Sequence, residues 1–233
     1  MPAHKFKFDY KKEFKDLYMP KQKPMLIDVD VMDFIMVDGV GAPGGESYKN
    51  AMSVLYALTF TIKMSKMSGK QPEGYFEYVV PPLEGLWWGD KELFENNERD
   101  KWNWTSMIRQ PEFVTKDVYN WAVEEYKRKN PIDPSLERSR KGKPGDQVAD
   151  VSKARFETFK EGFCVQIMHI GPYNEEKFSL EKIDKFIEDN DLINDTGLVR
   201  KHHEIYLGDP RKTAPERLRT VLRIPVRKKE TKG

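Results

Sequence analysis

Residues 201–226 read KHHEIYLGDPRKTAPERLRTVLRIPV, and the fold turns on how they alternate. The stretch predicts a strand, a turn, one short helical turn and a second strand. Successive side chains of a strand face opposite ways. His203, Ile205 and Leu207 therefore share one face, and His202, Glu204 and Tyr206 share the other. Between the two strands, Thr213 and Glu216 have the spacing of a capping box that would open the helical turn. A carboxylate set between an imidazole and a phenol in mid-strand needs a reason. Either it pairs across the sheet with Arg223 or Lys201, a contact worth a few tenths of a kcal/mol, or it meets something from outside.

The segments before this stretch repeat a pattern already present in the first half. GFCVQIMHIG (162–171) reads as an apolar strand closed by Gly171-Pro172, and a helix over 174–192 puts Leu180, Ile183 and Ile187 on one stripe. In the first half, β-branched residues and alternation predict a strand from 25 to about 37, followed by a loop marked by the glycines at 39, 41, 44 and 45. The next segment, 47–69, carries Ala51, Leu55, Leu58 and Ile62 at helical spacing, with Gly69 as its stop. GYFEYVVPPLEGLWWGD (74–90) reads as a strand interrupted by Pro81-Pro82, and KWNWTSMIRQPEF (101–113) as a strand after a charged loop. An amphipathic helix over 114–130 sets Val114, Val118, Trp121 and Ala122 along one side, with Thr115 as its cap and Asp117 at its positive end.

Both halves thus read strand, glycine loop, helix, two strands, which predicts an α+β fold of duplicated β-α-β-β modules. Helices would cover one face of the joined sheet, and the other face, curved between the lobes, would form a ligand cleft. The expected layout is an N-terminal polar arm (1–24), a first lobe plus helix (25–129), a Pro/Gly-rich charged connector (130–152), a second lobe (153–227) and a basic tail (228–233).

Composition narrows the function. The chain has 233 residues, ample for a real core, and a formal net charge of +2, which supplies no field for nucleic acid. No apolar run approaches the roughly 20 residues of a membrane span, and the N-terminus lacks the apolar core and cleavage site of a signal peptide. The single cysteine, Cys164, lies in an apolar strand, so a buried thiol in a reducing cytoplasm is expected. Adjacent histidines in a strand diverge and no third ligand is spaced near His202 and His203, so no metal is expected. GVGAPGG lacks both the Lys-Ser/Thr of a phosphate loop and a dinucleotide fingerprint, so no cofactor is expected either. His169, on an apolar strand, reads as a satisfied core histidine. Four of the five tryptophans, Trp87, Trp88, Trp102 and Trp104, fall within eighteen residues, as core or as the lining of a pocket for a flat ligand.

Three segments, GPY at 171–173, EIYLGDPRKTAPERLRTVLRIPV at 204–226, and VPPLEGLWW with KWNWTSMIRQPEFV at 80–88 and 101–114, resemble the GyrI-like small-molecule-binding family, and in particular its stand-alone members. The resemblance spans about residues 25–227. It implies a pair of β-α-β-β modules enclosing a cleft for hydrophobic, aromatic or cationic compounds, and it matches Glu204 to the glutamate that meets the ligand among aromatic side chains. Some stand-alone members are similar to hydrolases that open a strained cyclopropane in DNA-alkylating compounds. The 24-residue arm is too short for the helix-turn-helix of related transcription regulators, so a stand-alone role is expected.

The expected ligand-binding set is Tyr78, Glu84, Trp88, Trp104, Tyr173, Glu204 and Tyr206. Glu204 serves either as the polar anchor for a cation or as a general base, and Tyr206 (or Tyr78) as the stabiliser of an oxygen gaining charge. Three functional readings follow. The chain binds flat hydrophobic or cationic compounds, hydrolyses a strained ring, or acts as a protein-interaction module through an apolar patch.

Overall fold

The computed structural model describes residues 7–131 and 148–229. Two short helices, α1 (Tyr10–Glu13) and α2 (Lys15–Tyr18), precede β1 (Met25–Val40) and α3 (Glu46–Lys63). Then come β2 (Leu83–Trp88), α4 (Lys91–Glu95), β3 (Asn103–Arg109) and α5 (Lys116–Lys129). The second half comprises β4 (Arg155–Ile170), α6 (Lys177–Asp189), β5 (Leu192–Asn194), β6 (His202–Tyr206) and β7 (Arg219–Lys228). The architecture is α+β.

All the strand pairs are antiparallel, in the order β4-β1-β3-β2-β6-β7-β5, and β4 also pairs with β7. Six strands therefore make a closed circuit. The pairing order is the same in both halves: β1 pairs β3 and β3 pairs β2, as β4 pairs β7 and β7 pairs β6. The halves join twice, through β1–β4 and β2–β6. Closure leaves little unpaired strand edge, which limits non-specific association.

The helices form where the apolar spacing places them. Ala51, Leu55, Leu58 and Ile62 of α3 share a buried core with Ile35, Val37 and Ile108 of the sheet, and Val118, Trp121 and Ala122 of α5 pack on the same cluster. Thr115 caps α5, accepting from Val118 N at 3.3 Å. Ile183 and Ile187 of α6, with Leu180 alongside, cover Val165, Ile167, Leu222 and Ile224. Each fully buried side chain of this kind contributes about 1.5–3 kcal/mol.

Several expectations change. The N-terminal arm is not simply polar: Tyr10 and Tyr18 are buried against Met168, Ile205 and Val221, on the sheet face away from the three long helices. The arm closes that face, so the open groove lies on the helix-bearing side, between α3 and the start of α6, and not on the opposite side. The capping box does not form; the turn Pro215–Arg217 has Ala214 at its N-cap and no side-chain cap, because proline at the first position already fixes its φ. Strand β4 starts seven residues earlier than the apolar pattern indicates and continues through Gly162 at φ 75°, a conformation open to glycine. The 130–152 connector lies for the most part outside the described residues, as does the tail beyond 229. Cys164 is buried, and burial pushes its thiol well above the usual range. His169 is satisfied by Ser179 Oγ at 3.0 Å and Pro172 O at 3.2 Å.

Candidate functional site

Register decides what faces the groove. Pairing Gly85 with Glu204 and Leu83 with Tyr206 puts β6 beside β2 so that Glu204 and Tyr206 stand on the same face as Trp87. Trp87 Nε1 donates to Tyr206 Oη at 3.0 Å, and Tyr206 Oη donates to Glu204 Oε2 at 2.8 Å. The other carboxylate oxygen lies 3.1 Å from His202 Nε2. Glu204 and His202 side chains retain 16% and 18% exposure, so the chain of hydrogen bonds runs from the core to an accessible carboxylate.

Aromatic rings wall this chain in. Tyr48 of α3 stacks on Trp87 with 5.8 Å between centroids and meets Trp104 edge-on at 5.2 Å. Tyr173, in the turn before α6, meets Tyr206 edge-on at 6.0 Å. Two glycines make room. A Cβ on Gly85 would sit 3.0 Å from Trp87 Nε1 and 3.2 Å from Tyr206 Oη, and one on Gly39 would overlap the Trp104 ring at 2.2 Å. Burial, reinforced by the Glu204 charge, holds the Tyr206 phenol well above its usual pKa, so it stays a donor. Burial likewise raises Tyr48 to about 12, with the Ser106 and Tyr206 hydroxyls opposing. The site stays filled by its own rings: the two surface hollows, of about 300 and 350 Å³, lie elsewhere, beside Val151 and at 194–200.

The structure brings together Glu204, Tyr206, Tyr173 and, beneath them, Trp104. The other three expected residues lie apart. Glu84 alternates to the opposite face, 1% exposed, with Oε2 3.0 Å from His203 Nε2 and Oε1 accepting from Tyr18 at 3.3 Å. Tyr78 packs among Phe76, Phe113 and Tyr75 in the segment before Pro81. Trp88 also falls on the other side of its strand from Trp87, and its ring carries Lys201 Nζ at 3.5 Å from the centroid. Lys201 is thus occupied with Trp88, and Arg223 bonds Glu161 at 2.7 Å, so neither pairs with Glu204.

Sequence reasoning missed Trp87, Tyr48, His202 and Glu176. Trp87 and His202 follow from alternation once β2 is known to begin at Leu83, after the proline pair; Tyr48 lies on the stripe of Ala51 and Leu55. Glu176, in the NEEK run, offers no signal by itself. Its pKa is raised to about 9, mainly by burial and then by the Glu204 charge.

Comparison with known proteins places this geometry. The family model for the GyrI-like small molecule binding domain matches residues 22–227. A crystal structure of a hydrolase from Listeria innocua is 47% identical over 95% of this chain and 100% of its own, with a TM-score of 0.81. An uncharacterized conserved protein from Listeria innocua is 48% identical over the same shares, with a TM-score of 0.84. The C-terminal domain of EcmrR, at 11% identity over 89% of this chain and 98% of its own, shares the fold with a TM-score of 0.51. No curated protein matches the chain. By the span of that match and by its close structural relatives, the chain belongs to the GyrI-like small-molecule-binding domain family.

Proposed function

We propose that the groove between α3 and the start of α6 binds flat hydrophobic compounds, cationic ones best, with Glu204 as the charged anchor and Tyr48, Trp87, Tyr173 and Tyr206 as its aromatic walls. One observation carries this reading. Glu204 is partly exposed and oriented by two hydrogen bonds, yet among the described residues no lysine or arginine pairs with it. Such a carboxylate, in an apolar frame, is a preformed site for a cation, and the ring faces add cation–π attraction. Because the rings fill the space, a ligand enters by displacing one of them; Tyr173, 38% exposed on a short turn, is the least restrained.

A second reading, hydrolysis of a strained three-membered ring, is favoured by the same hydrogen bonds and by the Listeria innocua hydrolase. In it Glu204 takes a proton from water, the water oxygen bonds to a ring carbon, and the breaking C–C bond sends its electron pair to a conjugated oxygen that is then protonated. Tyr206 directs its own proton to Glu204, so its part here is to position the base.

One experiment separates the two. Wild type and Glu204→Gln are mixed with a cyclopropane-bearing, DNA-alkylating compound, with the intact compound followed by mass and binding by tryptophan quenching. Conversion to a water adduct that disappears in the variant establishes the hydrolase; quenching without conversion establishes the binding protein; neither result with this compound or with a flat aromatic cation removes both readings.

A further inference from the structure

Three polar atoms on the groove side of the sheet are buried and lack an aligned hydrogen-bond partner: Glu176 Oε1, Thr220 Oγ1 and Ser106 Oγ. Thr220 and Ser106 are wholly buried. An orphaned buried donor or acceptor costs about 1–3 kcal/mol, so three near one site mark a place completed from outside. The register puts Thr220 directly opposite Tyr206, and Ser106 opposite Gly85, which itself faces Glu204. Glu176 reaches Thr220 and lies within the field of Glu204. The groove therefore holds two carboxyl groups of opposite character.

Resting on the reading of this groove as a small-molecule site, we propose that Glu176 is the acid member of the pair: a protonated carboxyl that, with Thr220, donates to an uncharged oxygen acceptor of the ligand. The chemical class this selects is a flat aromatic compound with a carbonyl conjugated to its rings, lying with that oxygen toward Glu176 and its electron-poor or cationic part toward Glu204. In a ring-opening reaction the same proton would pass to the oxygen that receives the electron pair, so that water is added across the broken bond without net loss or gain of a proton.

The groups around Glu176 are Glu204 and Tyr206 from β6, Thr220 from β7, Arg99 from the loop before β3, and Tyr173 from its own turn. Tyr48 of α3 faces Glu204 and Tyr173. Burial and the Glu204 charge keep the proton on; Arg99 pulls the other way. Glu176 gives up its proton at about 9, while Tyr48 and Tyr173 hold theirs to about 12. His203, which titrates at about 9, lies on the opposite face and is shared by every variant below.

The test compares 9-fluorenone with fluorene, two probes of one shape of which only the first has the carbonyl, by tryptophan quenching at about pH 7 and about pH 10. One hydrogen bond of about 1.4 kcal/mol predicts roughly tenfold tighter binding of the ketone to wild type at the lower pH. That preference is expected to vanish at the higher pH, where the carboxylate repels the carbonyl. Glu176→Gln keeps a donor that does not titrate, so it should keep the preference at both pH values; Glu176→Ala should lack it at both. Glu204→Gln should shift the loss to lower pH, since one cause of the raised pKa is gone. Fluorene affinity should stay constant throughout. If wild type binds both probes equally, or Glu176→Ala keeps the preference, the groove remains a binding site and the role of Glu176 is overturned. If neither probe binds, the reading of the groove fails and this inference fails with it.

Discussion

Strand β6 carries an imidazole–carboxylate pair on each face, and the two have opposite fates. On the groove side, His202 and Glu204 stand 3.1 Å apart and partly exposed, with Tyr206 as the third partner. On the other side, His203 is buried between two carboxylates, its Nδ1 3.0 Å from Glu161 Oε2 and its Nε2 3.0 Å from Glu84 Oε2, the latter close enough for an ion pair though not aligned as a hydrogen bond. Arg223 completes the buried set, bonding Glu161 at 2.7 Å, Gln166 Oε1 at 3.0 Å and the carbonyl of Leu17 at 3.1 Å. Two cations there meet two anions, and the N-terminal arm seals the set from water. The comparison teaches that charge satisfaction, more than residue type, separates a structural carboxylate from one available to a ligand. Glu161 and Glu84 have cationic partners in place, and Glu204 does not.

The largest expected effect comes from breaking the buried side. Glu161→Ala leaves Arg223 and His203 without their shared carboxylate and should cost about 3–5 kcal/mol in urea unfolding, whereas Glu204→Ala should cost under about 1 kcal/mol. Equal costs would erase the contrast between the faces.

The next effect is in pH. Burial alone would lower the His203 pKa, but Glu161 and Glu84 outweigh it and raise it from 6.5 to about 9. Its contribution, about 3 kcal/mol for that interval, is complete below 6.5 and is lost as pH rises through about 9. Glu161 has the reverse sign: burial opposes its charge, but Arg223 and His203 lower it from 4.5 to about 2, so its stabilisation is present above 4.5 and lost as pH falls through about 2. Urea midpoints across pH should fall at both ends, and His203→Gln should flatten the alkaline limb.

A smaller effect sharpens the groove side. Trp87→Phe keeps the ring but removes the donor to Tyr206, and should cost about 1 kcal/mol of stability and a few-fold in ligand affinity, while Trp88→Phe should leave affinity unchanged.

How much of this was readable follows from the same strand. The alternation of β6 assigned Glu204, Tyr206 and His202 to one face and His203 to the other, because a strand has a fixed period of two. The helices at 46–63, 116–129 and 177–189 were equally legible from their apolar stripes. Glu84 and the tryptophan pair were not. Their facing depends on where β2 starts, and Pro81-Pro82 resets the alternation just before Leu83. The three-residue β5 and the charged α4 carry too short a pattern to be seen, and both are held by tertiary contacts. The fate of Arg223 was out of reach for a different reason: its partner Glu161 comes from β4, and no local spacing reports a neighbour 62 residues away.

The most direct test of the two-face account is a titration of wild type, Glu204→Gln and Glu84→Gln with a flat aromatic cation and its neutral isostere, read by tryptophan quenching. The account predicts that Glu204→Gln weakens the cation roughly tenfold and spares the neutral compound, while Glu84→Gln lowers stability and leaves both affinities as they were. Unchanged cation binding in Glu204→Gln, or a selective loss in Glu84→Gln, would contradict it.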